Sequence, residues 1–352
     1  MPSQKILIYR LGSLGDTIIA LPCFHKIREV YPDAEIVLLT NRPVQSKAAP
    51  AEAVLGNDYF FNTVIDYPIG ARRPMVLFNL IKLIRRNKID TVINLTAPRS
   101  KSAAIRDRWF FKLAGVKQFI GFPNDSDYQI STDPISGLTE WEAQRLAKRI
   151  SELGPLPLEQ ENFWDLRLTT EEHALANEKL KRIKTDNIVA INTGTKVQAN
   201  DWGCENWTGL VKQLAPILTN WQLVIVGAND DSAFAEKCLE AWGNKGINLC
   251  GQTSPRVSAA VLKQAKFFIG HDSGPMHLAA CVGTPCIGIF SARNLPGQWF
   301  PRGDNNRIIY HKTDCAGCKL SMCVEQQKKC ILSITVNEVE EAVMEVLNNK
   351  TA

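Results

Sequence analysis

No apolar run in the 352 residues reaches the ~18 needed to cross a bilayer. The first apolar stretch is interrupted by Arg10 and Asp16, with a Gly-rich turn between them, and reads as a folded loop rather than an export signal. The expectation is a cytoplasmic protein whose ten cysteines are mostly reduced. Gly-x-Gly-x-x-Gly is also missing, which argues against an NAD-dependent oxidoreductase. No tandem repeat of about 20–50 residues and no low-complexity tract occurs. Acidic residues are scarce in one region: Arg72 to Lys117 holds 12 basic residues against Asp90 and Asp107 alone. Residues 1–160 carry 21 Lys and Arg and 16 Asp and Glu, and the remainder 20 of each, so the whole net charge of +5 sits in the N-terminal half. Such asymmetry predicts an anionic partner for that half, the plainer alternative being a solvated helix face.

What is present is globular. Apolar residues make up 45 % and charged residues 22 %, enough for a core in each of two domains. Buried-strand patterns alternate with helical ones. Lys5–Tyr9 is a strand, followed by the turn Arg10–Asp16, a helix Thr17–Val30 and a strand Glu35–Thr40. The same alternation resumes at Ile188–Ile191, Leu223–Val226, Phe267–Ile269 and Cys286–Phe290, each strand followed by a turn or helix. The fold class is therefore α/β, with parallel sheets. Residues 1–160 are read as an N-terminal Rossmann-like domain and 161–334 as a C-terminal one. Residues 335–352 form a closing helix, for which a return onto the N-terminal domain stays open. In such sheets ligands lie beyond the carboxyl ends of the strands.

Two strand-to-helix corners carry the chemistry. Arg10-Leu-Gly-Ser-Leu-Gly-Asp-Thr17 uses two glycines to turn tightly before a helix. Asp16 is either the cap of that helix or a carboxylate displayed as a general base. Gly270-His-Asp-Ser-Gly-Pro-Met-His277 places Ser273 and Gly274 ahead of Pro275, which suits the first helical turn. N–H groups there suit a diphosphate, Asp272 suits sugar or ribose hydroxyls, and His277 suits a phosphate or a sugar. Read alone, His277 is more readily a core histidine.

These two strings, in this order and separation, resemble glycosyltransferase family 9, the heptosyltransferases of lipopolysaccharide assembly. The likeness extends over nearly the whole chain and takes in Val282-Gly-Thr-Pro285 and the cysteine-rich tail. It implies the GT-B architecture, two Rossmann-like doubly wound domains facing a central cleft. It implies inverting transfer of a heptose from a nucleoside diphosphate sugar, ADP-heptose foremost, to a lipopolysaccharide inner-core acceptor. That enzyme would work in the cytoplasm, peripheral to the inner membrane, with an anionic glycolipid as partner and no nucleic acid. By position, Asp16 would be the catalytic base. Ser13, Gly15, Thr193, Gly194, Lys196, Asp231, Asp272, Ser273, Gly274, Met276 and His277 would bind the donor. Arg72, Arg73, Arg99 and Arg106 would bind the acceptor, because guanidinium forks match phosphates and carboxylates.

Two positions depart from the family pattern. Asn200 stands where a lysine is common, with Lys196 the nearest substitute cation, and Asp231 stands where a glutamate often contacts ribose. No cofactor and no catalytic metal is expected. Cys315-x-x-Cys318-x4-Cys323-x6-Cys330 leaves three readings open: reduced packed thiols, a structural zinc or iron site, and disulfides. The other six cysteines read as inert core positions. Trp109, Phe110 and Phe111 beside the basic stretch read as acceptor contact, with core packing as the alternative. The rival functions are a nucleotide-sugar epimerase or hydrolase on the same fold, and a non-catalytic glycan or nucleotide-sugar binding protein.

Overall fold

The computed structural model describes residues 4–42, 49–56, 59–69, 73–97 and 100–348. Arg72 and Arg99 lie outside the described residues. The chain divides into two compact units. Unit 1 comprises Met1–Asp133 with Glu140–Trp164, and unit 2 comprises Pro134–Thr139 with Asp165–Ala352.

Unit 1 is built on five parallel strands, β1 (Lys5–Tyr9), β2 (Glu35–Arg42), β3 (Thr63–Pro68), β4 (Thr91–Asn94) and β5 (Gln118–Ile120), in the order β3-β2-β1-β4-β5. The central strand takes Ile6 opposite both Ile36 and Thr91. Ile6, Leu7 and Ile8 are fully buried, as a parallel strand covered on both faces requires. The expected helix Thr17–Val30 is two helices, Leu14–Ile19 and Leu21–Val30, joined at Ala20. Pro22 offers no N–H to a continuous helix and is tolerated only in a first turn, so the break falls just ahead of it.

Unit 2 has six parallel strands, β6 (Ile188–Asn192), β7 (Gln222–Ile225), β8 (Gly246–Asn248), β9 (Phe267–His271), β10 (Cys286–Phe290) and β11 (Arg307–Tyr310), in the order β11-β10-β9-β6-β7-β8. In both sheets the strand order reverses beside the unit's first strand, between β1 and β4 and between β6 and β9. Those reversals open the crevices where ligands of such sheets lie.

The closing helix, Val336–Asn348, belongs to unit 2. Val339, Val343 and Val346 join the core cluster of Trp202, Trp207 and Leu210. The stretch before residue 165 belongs to unit 1: Trp164 is buried and stacks on Trp141, ring centroids 5.4 Å apart. Residues 134–139 join unit 2, where Thr139 donates through N–H and Oγ1 to the Pro296 carbonyl at 2.7 and 2.6 Å.

Candidate active site

In unit 1, β1 leads through Arg10 into a turn. Gly12 takes φ +125°, a conformation that side chains disfavour, and a Cβ there would come within 2.7 Å of Asp16 Cβ. Ser13 then caps the helix Leu14–Ile19. Asp16, third in that helix, folds back, and its Oδ2 accepts from the Ser13 N–H at 2.7 Å and from Ser13 Oγ at 2.8 Å. Asp16 is therefore not the N-cap but the returning arm of a capping box. The carboxylate is half-buried, and among the described residues its Oδ1 makes no hydrogen bond. Gly15 is buried inside the same turn of helix.

Two arginines, Arg10 buried and Arg149 half-buried, brace this corner, and the sequence reading assigned a role to neither. Arg10 donates to the carbonyls of Leu95 and Asp16, joining the ends of β1 and β4. Burial lowers its pKa, opposed first by the charge of Asp16. Arg149 donates to the carbonyls of Thr96 at 2.6 Å, Asn94 at 2.7 Å and Gly121 at 2.6 Å, and burial brings its pKa down to about 10. Past the end of β5 lies a cavity of about 660 Å³ whose wall includes Arg108, Phe119, Phe122, Gln129 and Lys148. Arg73 is exposed at the start of the helix Pro74–Arg86, and Arg106 is exposed and pairs with Asp107 at 2.8 Å. Trp109 is exposed, Phe110 half-buried and Phe111 buried in the core, so core packing accounts for Phe111 and not for Trp109. The sequence does hold one Asp-x-Asp string, Asp125-x-Asp127. It forms a turn in which Asp127 Oδ2 accepts from the Asn124 N–H at 2.8 Å and Asp125 pairs with Lys101 at 2.7 Å.

In unit 2 the expected donor residues gather at the carboxyl ends of β6, β7 and β9. Asn192 ends β6. Its Nδ2 donates to the Val226 carbonyl at 2.9 Å, and its Oδ1 accepts from Ser273 Oγ at 3.2 Å. Thr193 is buried, and a Cβ on Gly194 would strike the Asp231 carboxylate. Asp231 Oδ2 accepts from the Ala228 N–H at 2.8 Å, fixing the turn into the helix Ser232–Ala241. Asp272 Oδ2 accepts from Asn294 Nδ2 at 3.2 Å, and its Oδ1 lies 3.8 Å from His277 Nε2. Ser273 caps the helix Gly274–Cys281 in an extended conformation. Pro275 has no N–H, so Gly274 and Met276 carry the first-turn N–H groups left without intrahelical acceptors. The Met276 side chain is fully buried, which limits its expected donor contact to the backbone. His277 is buried as well.

The departure at residue 200 has a structural account. Asn200 Nδ2 donates to the Asp272 carbonyl at 3.1 Å, and its Oδ1 accepts from Ser291 Oγ at 2.5 Å. It is a buried cross-tie between the ends of β9 and β10, while Lys196 is exposed on the preceding loop. His271, which the sequence reading left unassigned, lies beneath this corner. Its Nε2 accepts from the Trp202 N–H at 3.1 Å and from Trp207 Nε1–H at 3.3 Å, and burial pushes its pKa down to about 4.

The four tail cysteines are free thiols lining one cavity of about 10 Å³. Among the described residues, no group of three or more His, Cys, Asp or Glu side chains is arranged to hold a metal ion. Of the six cysteines expected in the core, Cys204 is exposed at the start of a helix, which corrects that expectation.

Comparison with known proteins agrees with this arrangement. A profile of glycosyltransferase family 9 (heptosyltransferase) matches residues 77–329. Lipooligosaccharide heptosyltransferase 2 of Campylobacter jejuni subsp. jejuni is 26 % identical over 363 residues, covering 98 % of this chain and 99 % of the relative. The solved structure of a family 9 glycosyl transferase from Veillonella parvula superposes with a TM-score of 0.71 at 17 % identity, covering 98 % of each chain. That of E. coli ADP-heptose LPS heptosyltransferase II gives 0.69 at 18 % identity, covering 99 % of this chain and 100 % of that one. The two parallel-sheet units are thus those of the GT-B fold.

Proposed function

This chain belongs to glycosyltransferase family 9, and from that premise we propose that it transfers a heptose, with inversion, from ADP-heptose to an inner-core sugar of lipopolysaccharide or lipooligosaccharide. The observation that carries the chemistry is the state of Asp16: a half-buried carboxylate fixed through Oδ2, with Oδ1 unengaged among the described residues, beside the β1/β4 strand reversal. Fixed position and an open lone pair are what a general base needs.

In the proposed reaction Asp16 Oδ1 takes the proton from an acceptor hydroxyl as that oxygen attacks the anomeric carbon. The bond from that carbon to the diphosphate breaks, and the configuration inverts. Negative charge grows on the leaving diphosphate. The N–H groups of Gly274 and Met276, the positive end of their helix and Lys196 answer that charge. Asp272 and His277 hold the sugar hydroxyls. The donor and acceptor classes are supported by the relatives, an ADP-heptose LPS heptosyltransferase of E. coli and a lipooligosaccharide heptosyltransferase of Campylobacter jejuni. Arg73, Arg106 and the cavity beyond β5 are proposed to receive the anionic acceptor. Among the described residues no helix is long and apolar enough to cross a membrane, and we propose that the enzyme acts peripherally at the inner membrane.

No step runs through a metal. Cys315, Cys318, Cys323 and Cys330 are proposed to be packed reduced thiols, and one equivalent of zinc or iron in protein purified without added metal would overturn that assignment. Turnover decides the rest. Asp16→Asn should lose roughly 10²–10⁴-fold in turnover while donor affinity stays near normal. Near-normal turnover would remove Asp16 as base. Donor consumption without acceptor, at the transfer rate, would favour the epimerase or hydrolase alternative.

A further inference from the structure

We propose that the outer faces of the helices Pro74–Arg86 and Lys101–Leu113 form a docking surface for an anionic lipid bilayer. The inference stands on the surface itself and does not depend on the donor or acceptor assigned above.

Topology puts the two helices in one layer. The first connects β3 to β4 and the second β4 to β5. Both crossovers step in the same direction along the sheet, so right-handed connections place both on the same face. Arg85 Nη2 donates to the Leu113 carbonyl at 2.6 Å and joins their C-terminal ends. Their inner faces are accounted for, since Leu80, Ile84 and Phe111 are core residues.

The outer faces are apolar where solvent-facing helices are normally polar. Ile105, Trp109 and Leu113 recur at i, i+4 and i+8, a single stripe, and each is 59 % exposed. On the neighbouring helix Met75, Phe78 and Leu83 are exposed too, Met75 at 68 %. Cations frame these residues. Lys112 Nζ sits 5.1 Å from the Trp109 ring centre and Lys82 Nζ 5.1 Å from that of Phe78. Arg85, Arg86 and Arg108 add charge, and the only acidic residue on either helix is Asp107, already paired with Arg106.

Apolar side chains with basic neighbours fit the boundary between headgroups and acyl chains: the rings and aliphatic groups enter the boundary while the cations meet phosphate. The other occupants fit less well. A two-fold contact between copies would set this cation-rich face against itself. Nucleic acid would satisfy the cations and stack on Trp109, but offers nothing to Met75, Ile105 and Leu113.

The test is flotation of the full chain with vesicles of phosphatidylcholine alone or mixed with phosphatidylglycerol. Binding is expected only to the anionic vesicles, falling at least about tenfold in Trp109→Glu and about fivefold for each charge removed in Arg86→Gln and Lys112→Gln. All three positions are exposed, and thermal melting checks that the variants fold. The proposal is overturned by equal flotation of Trp109→Glu, by self-association that Trp109→Glu abolishes, or by tighter binding to a single-stranded oligonucleotide than to the vesicles.

Discussion

At the scale of single residues, the proposed catalytic corner rests on the absence of a side chain at Gly12. That residue sits at φ +125°, and the Asp16 Cβ and Cγ atoms occupy the space a methyl group would need, at 2.7 and 2.8 Å. Gly12→Ala therefore faces backbone strain costing about 1–3 kcal/mol and must also displace Asp16. We expect a modest fall in melting temperature with a fall in kcat of at least about tenfold. Wild-type kcat in a variant that melts lower would show that Asp16 tolerates displacement and is no base. Gly12, Ser13 and Asp16 were legible in the sequence because a turn with two glycines between a strand and a helix has few other uses. Arg10 and Arg149 were not legible. A charge at the end of a strand or helix reads as solvated until the backbone carbonyls that consume it are seen, and those carbonyls, Asp16 apart, come from residues 94 to 121. For the same reason Asn200 read only as a missing lysine, whereas its partners are Asp272 and Ser291, some 70 and 90 positions away.

At the scale of elements, the central strands were legible and three of the four edges were not. β1, β6, β9 and β10 are buried along almost their whole length and read as unbroken apolar runs. β3, β8 and β11 lie at sheet edges, are half-exposed, and have no pattern to distinguish them from loop. His271 shows how elements lock together in unit 2. It ends β9 and accepts from the Trp202 N–H and from the indole of Trp207, in the helix Cys204–Leu214. Only neutral imidazole has an acceptor nitrogen, so protonation breaks both bonds. Burial holds its pKa at about 4 in the folded state against 6.5 unfolded. The unfolded chain therefore binds the proton first. The contribution is complete above pH 6.5 and disappears as pH falls toward 4, by up to about 3 kcal/mol. Urea unfolding at several pH values, wild type against His271→Gln, isolates this part from the carboxylates. Parallel stability curves over that window would refute it.

At the scale of the whole molecule, the charge is divided as the proposed work is. Residues 1–160 hold the excess of five positive charges, and the remainder is balanced at 20 against 20. The proposed donor corner lies in the balanced part, and there the diphosphate is proposed to meet backbone N–H groups, a helix end and a single lysine. The acceptor is proposed to meet arginines and lysines of unit 1, mostly exposed and so open to screening. Raising ionic strength from about 0.1 M to 1 M shortens the Debye length from about 10 to 3 Å. The acceptor KM should then rise several-fold, while the donor KM stays within about twofold. Replacing Arg73, Arg85 and Arg86 together with glutamine should raise the acceptor KM at low salt and flatten its salt dependence. The assay needs a detergent-dispersed or truncated acceptor, so that vesicle docking does not enter the measurement. If the two KM values rise in parallel, or the triple variant keeps the wild-type slope, the basic half of the chain is a solvated surface and the acceptor is held by other means.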